Sequence, residues 1–339
     1  MSAPNVKIAV EWLAERRRLA EPEQPSPAQP PLVAGPTMRL ITEIRESRAE
    51  YSHEREDAAK RAKAICASVD AAGCTRSLAG PHGGQAADAL EALRRTHPNF
   101  WQVIEHLQRE AILSGASGRP LMGLRLLLVG PPGVGKTDFA LSLASVLSLP
   151  PPLVIDMSTA QTNSDLAGSS TYWSNSAPGR LFEALLESSV GNPLVVLDEI
   201  DKVREIYGQP DPRSPLYGLW ETSTARRWSD LSVPWVTLDL TAINWIATAN
   251  YLDVLPRPLV SRAQVFEIRP PTSTESLAVV QSVYARLLAE RQLHRWVPAH
   301  VGPRLARQLA GLPPRQVRKR LESALVDQLV RRPQTCLWH

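Results

Sequence analysis

Gly130-Pro131-Pro132-Gly133-Val134-Gly135-Lys136-Thr137 constrains this chain more than any other stretch. It meets the spacing G-x-x-x-x-G-K-[ST] at every fixed position. Its flanks agree with it. Residues 124–129 (LRLLLV) form an apolar run of strand length, and residues 138–147 (DFALSLASVL) carry a helical pattern. Strand, glycine-rich loop and helix in that order aim backbone N–H groups and a helix N-terminus at an anion. Glycine lets the backbone close around a phosphate because no Cβ intervenes. Lys136 would reach the β- and γ-phosphates of a nucleotide, and the Thr137 hydroxyl would hold Mg²⁺.

A second stretch supplies chemistry that binding alone lacks. Residues 193–199 (PLVVLDE) are an apolar strand ending in two acids. Such a strand puts both carboxylates at the sheet edge, beside the phosphates. Asp198 would hold the Mg²⁺ shell, and Glu199 would orient and polarise the attacking water.

From residue 121 the pattern alternates between strands and helices. Apolar runs at 124–129, 153–157, 194–197, 245–249 and 265–268 are nearly continuous, as in a parallel sheet covered on both faces. The expected fold is therefore α/β: a five-stranded parallel sheet with helices on both faces. After Pro271 the chain reads as helical. Thr272-Ser273-Thr274-Glu275 has capping-box spacing and opens a helix to about 293, with further helices near 298–310 and 314–331. This gives a nucleotide-binding domain at 119–271, an all-α lid at 272–332 and a tail at 333–339.

Ahead of the sheet, residues 1–36 read as a short helix and a linker, because 21–36 hold six prolines. Residues 37–118 read as a helical region. Within it, 39–68 is charge-laced, with Glu56–Lys60 and Asp57–Arg61 in the favourable i,i+4 order and a thin stripe of Ile44, Tyr51, Ala58 and Ile65. That pattern predicts a long exposed helix. Helices are also expected at 85–96 and 99–113.

The chain of 339 residues is 43% hydrophobic and 21% charged, which suits two or three globular domains. No apolar run reaches the length of a membrane span. Three cysteines without metal-ligand spacing point to a reducing cytoplasm. The net charge of +4 is concentrated at 301–332, where eight basic residues face two acids. Nucleic acid is one reading of that segment. The favoured one is a solvated helix face, because no aromatics are interleaved.

Together with the phosphate loop, Leu197-Asp198-Glu199-Ile200-Asp201-Lys202 and Ile246-Ala247-Thr248-Ala249-Asn250 resemble an AAA+ ATPase, a P-loop NTPase fold. The similarity extends over about 97–332 and is greatest to the ATPase module of the Lon protease family. It includes Tyr172, Gly179-Arg180-Leu181, Asp211-Pro212 with Leu216 and Leu219, and Pro258-Leu259-Val260-Ser261-Arg262.

The resemblance implies ATP and Mg²⁺ as cofactors, ATP hydrolysis, and a homo-oligomer, a hexamer. Asn250 matches the polar sensor that helps place the lytic water. Arg262 matches the arginine finger that completes a neighbour's site. Arg315 is the chosen lid arginine, with Arg318 the alternative. Tyr172-Trp173 would line the ring's pore and grip a polypeptide by apolar contact. Here Trp173 and Ser174 replace the family's aliphatic residue and glycine. A hairpin is expected within 226–241, and the family's peptidase domain is expected to be absent. Two readings result: a ring-forming motor that remodels a polypeptide or partner protein, or a nucleotide switch or assembly factor, for instance in DNA transactions, with slow turnover.

Overall fold

The computed structural model describes residues 36–44, 64–71, 73–170 and 176–330. Its strands are β1 (Thr37–Arg39), β2 (Ile41–Ile44), β3 (Thr75–Ser77), β4 (Arg125–Val129), β5 (Leu153–Asp156), β6 (Leu194–Asp198), β7 (Val236–Leu238), β8 (Asn244–Ala249) and β9 (Gln264–Glu267). The principal helices are α1 (Gly83–Thr96), α2 (Trp101–Ala116), α3 (Lys136–Val146), α4 (Arg180–Glu187), α5 (Ser273–Glu290), α6 (Pro303–Leu309) and α7 (Pro314–Val330).

Five strands form one sheet in the order β5-β6-β8-β4-β9, all parallel. Side chains alternate between its faces, as the strand period of two requires. In β4, Leu127 and Val129 enter one core with Leu181, Phe182 and Leu185 of α4. Leu126 and Leu128 enter the other, with residues of α1 and α2 and with Phe139 and Leu143 of α3. Because helices cover both faces, the middle positions of such a strand are mostly apolar on both sides. That is why these strands read as unbroken hydrophobic runs. The sheet order puts β8 between β4 and β6, so their carboxyl ends lie side by side.

The region ahead of the sheet is not wholly helical. β1 pairs antiparallel with β3, and β2 pairs antiparallel with β7. Ile41–Ile44 is therefore a strand where a helix was expected. Leu40 and Ile41 are fully buried in the core beside Leu238. That burial and the pairing with β7 favour a strand here, and the charge pairs at 56–61 lie outside the described residues. Residues 64–71 are helical. The rest of the expected long helix lies outside the described residues, as do the first 35 residues.

The stretch expected as a hairpin forms an antiparallel bridge between Trp228 and Leu238, while β7 takes its strand partner from the N-terminal region. Beyond the sheet, α5, α6 and α7 bury Val280, Tyr284, Leu287, Val317 and Leu321 in a core of their own. The Thr272/Glu275 capping box opens α5. No helix of the described residues is long and apolar enough to cross a membrane.

Candidate nucleotide site

The loop between β4 and α3 is shaped by its glycines. A Cβ on Gly130 would lie 2.2 Å from the Ile268 carbonyl oxygen, so only glycine fits beneath the end of β9. Gly133 and Gly135 have φ of +82° and +99°, a left-handed region that glycine enters without strain. Gly135 is the N-cap of α3 and supplies no side-chain cap, which leaves the helix N-terminus available to an anion.

Lys136 is buried, and its Nζ donates to the Gly130 carbonyl at 2.7 Å, the Pro131 carbonyl at 3.1 Å and Asn250 Oδ1 at 3.0 Å. Burial lowers its pKa, and the charges of Asp201, Asp198 and Glu199 oppose that shift. Thr137 Oγ1 donates to Asp198 Oδ1 at 2.8 Å. Thr248 Oγ1 donates to the same oxygen at 2.6 Å and accepts from the Glu199 N–H at 3.0 Å. A threonine hydroxyl and a carboxylate are hard oxygen donors of the kind Mg²⁺ prefers. The glycine cradle, the uncapped helix and this donor pair fit a magnesium–nucleotide complex.

Glu199 stands at φ +57°, a left-handed conformation that costs a non-glycine residue on the order of 1–2 kcal/mol. This turns the chain sharply after Asp198. Lys202 Nζ lies 2.5 Å from Glu199 Oε1. Asp201 Oδ2 accepts from the N–H groups of Asn250 and Tyr251, at 3.0 and 3.3 Å, and so fixes the end of β8.

A cavity of about 250 Å³ opens over the loop, and helices α5 and α7 contribute Arg286, Arg315 and Arg318 to its walls. Arg318 is paired with Glu290 and Glu322. Arg315, the sequence choice, lines the cavity without an ion pair among the described residues. Arg262 does not line it. Its Nη1 donates to the Pro258 carbonyl at 2.6 Å, and its Nε is 3.8 Å from Glu221 Oε2.

Tyr172 and Trp173 lie outside the described residues. The two ends of their loop are tied down. Buried Asp230 accepts from the Gly179 N–H at 2.9 Å, and a Cβ on Gly168 would strike the same carboxylate. Burial raises the Asp230 pKa against the pull of these hydrogen bonds.

Sequence reasoning missed Thr248 and Asp201. Both sit inside the quoted motifs, and the signal was available: a hydroxyl in a buried apolar strand and a third acid after the pair. It also missed Ile206 and Tyr207, apolar side chains exposed on the loop after Lys202.

Comparison with known proteins agrees with this geometry. Residues 126–270 match the family described as "ATPase family associated with various cellular activities (AAA)". Lon protease of Brevibacillus choshinensis is 33% identical over 180 residues, covering 53% of this chain and 22% of that protein. The peroxisomal Lon protease homolog 2 of Oryza sativa subsp. indica is 34% identical over 213 residues, covering 60% and 23%. Lon protease of Malacoplasma penetrans is 29% identical over 210 residues, covering 62% and 26%. The chain thus spans about a quarter of the length of these relatives.

Proposed function

We propose that this chain, which carries an AAA ATPase domain at residues 126–270 resembling that of Lon proteases, is a ring-forming, Mg-ATP-driven motor that remodels polypeptides. Bound Mg²⁺ would neutralise charge on the phosphate oxygens. Lys136 would bind the β- and γ-phosphates, and Thr137 and Asp198 would orient the metal. Glu199 would take a proton from the attacking water, held in line with help from Asn250.

The observation that carries the ATPase reading is the convergence of Lys136–Asn250 and Thr137–Asp198 at the adjacent ends of β4, β6 and β8. A cation, a metal-oriented pair and a polar amide thereby surround one small volume.

Arg262 stands outside its own chain's cavity, so its guanidinium would act on a neighbour's γ-phosphate, in a ring read as a hexamer. Tyr172 and Trp173 would hold a polypeptide by non-directional apolar contact, which suits many sequences in turn. Exposed Ile206 and Tyr207 fit the same task. The setting proposed is the cytoplasm, and nucleic acid is the less favoured partner.

The second reading, a switch or assembly factor of slow turnover, draws support from one contact. Lys202 occupies Glu199, the proposed base. The ATPase rate with and without an unfolded protein separates the two. Stimulation that Tyr172→Ala/Trp173→Ala abolishes, with the basal rate kept, supports the motor. A rate indifferent to unfolded protein overturns it.

A further inference from the structure

Asp138, one residue beyond the loop's threonine, joins three parts of the molecule. Its Oδ2 lies 3.0 Å from His97 Nε2, and its Oδ1 accepts from Arg286 Nη1 on lid helix α5. His97 precedes α2 and is buried, its ring edge-on to Phe100 and Phe139, with Nδ1 2.9 Å from Thr96 Oγ1. The imidazole is thus packed in place, and it fixes the carboxylate from the side of the core. Burial pushes the Asp138 pKa up, but hydrogen bonds from His97 and Arg286 together outweigh it and hold the group below its ordinary value.

Arg286 is the lid's counterpart. Its guanidinium lines the cavity with Lys136 and Thr137. A guanidinium carries five N–H donors, and among the described residues Asp138 is the hydrogen-bond acceptor of Arg286. Donors therefore remain for an anion in the cavity. The neighbouring Arg318 is differently placed, with Glu290 and Glu322 both pairing with it.

We propose that Arg286 is a nucleotide-binding residue, held at the cavity by the His97–Asp138 pair, and that its remaining N–H groups bind an anionic oxygen of the nucleotide's phosphate chain. Binding then docks the lid onto the phosphate loop through one side chain. Asp138 and His97 are positioning residues, acting through Arg286. The inference rests on the nucleotide reading of the site and adds a lid contact on a helix other than α7.

Equilibrium binding of ADP to the full chain tests it. Arg286→Ala should weaken ADP about tenfold, the loss of one charge-assisted hydrogen bond. Asp138→Ala should weaken it by a smaller factor, and the double variant should bind no worse than Arg286→Ala alone, because Asp138 acts through the arginine. Asp138→Asn keeps an acceptor and should fall between wild type and Asp138→Ala.

Wild-type ADP affinity in Arg286→Ala, even with a lowered melting temperature, overturns the inference in favour of a purely structural latch. Independent, additive losses from Asp138→Ala and Arg286→Ala overturn the positioning role. Lys136→Ala separates this from the underlying reading. If Lys136→Ala binds ADP normally, the phosphate-loop reading falls and this inference with it. If Lys136→Ala loses ADP while Arg286→Ala keeps it, this inference alone falls.

Discussion

Lys136 and Asn250, 114 residues apart in sequence, meet with Nζ 3.0 Å from Oδ1. The sheet order brings them together. Lys136 opens the helix that follows β4, Asn250 directly follows β8, and the two strands are hydrogen-bonded neighbours in parallel register from Arg125↔Trp245 to Val129↔Ala249. A lysine buried at a glycine loop is costly unless it is paired, and here two carbonyls and one amide oxygen satisfy it.

The first prediction concerns this pair. Lys136→Ala should abolish ATP and ADP binding, because the phosphates lose their cation. Asn250→Ala should bind nucleotide within a few-fold of wild type while turnover falls on the order of 10²-fold. Titration with labelled ADP and a steady-state ATPase assay report the two effects separately. Equal losses of binding in both variants would remove the distinction between cation and water-placing amide.

Thr248 gives a second. Its hydroxyl serves Asp198 and the Glu199 N–H at once. Thr248→Val conserves shape and removes both bonds, leaving a partly buried N–H without its acceptor. The expected cost is about 1–3 kcal/mol of stability, read by denaturant unfolding, with a fall in turnover as the sharp turn at Glu199 loosens. Thr248→Ser should restore both. Wild-type stability in Thr248→Val would show that water replaces the hydroxyl.

The start of the lid gives a third, in pH. Glu275 is held well below its ordinary pKa, at about 2, first by its hydrogen bond from Arg269 and then by those from Thr272, against the opposing effect of burial. A carboxylate with a depressed folded pKa adds stability above its unfolded pKa, and that stability is lost as pH falls through the folded value. Wild type should therefore lose its melting-temperature advantage over Glu275→Gln between about pH 4.5 and 2. An advantage unchanged across that range would contradict the assignment.

Much of the site was legible in the sequence because its signals are local. The phosphate loop is eight consecutive residues, and Asp198-Glu199 directly end an apolar run. The five parallel strands were legible for the same reason, since burial on both faces leaves an unbroken apolar string. The missed features depend on partners far away in the chain. Ile41 lies in a strand because it pairs with Leu238, and no local pattern near 41 announces that. The charge pairs at 56–61 pointed instead to one continuous helix. Arg286 went unnoticed beside Arg315 and Arg318 because which arginines of 272–332 line the cavity depends on how α5 and α7 pack, and all three line it. Glu199's left-handed backbone left no trace in residue type.

Arg262 gives a fourth prediction. Arg262→Ala subunits should bind ATP and fail to hydrolyse it. Mixing them with Lys136→Ala subunits should recover part of the activity, because a mixed interface pairs an intact finger with an intact loop. Light scattering during turnover checks the assembly. Full activity from a strictly monomeric species would contradict the role in a neighbour's site.

The central claim is that Glu199 activates water at this site, and Glu199→Gln tests it most directly. The amide keeps the side chain's shape but accepts no proton. ATP affinity should stay near that of wild type, while single-turnover hydrolysis with Mg²⁺ should fall by at least about 10²-fold. Hydrolysis by Glu199→Gln at the wild-type rate would contradict the account.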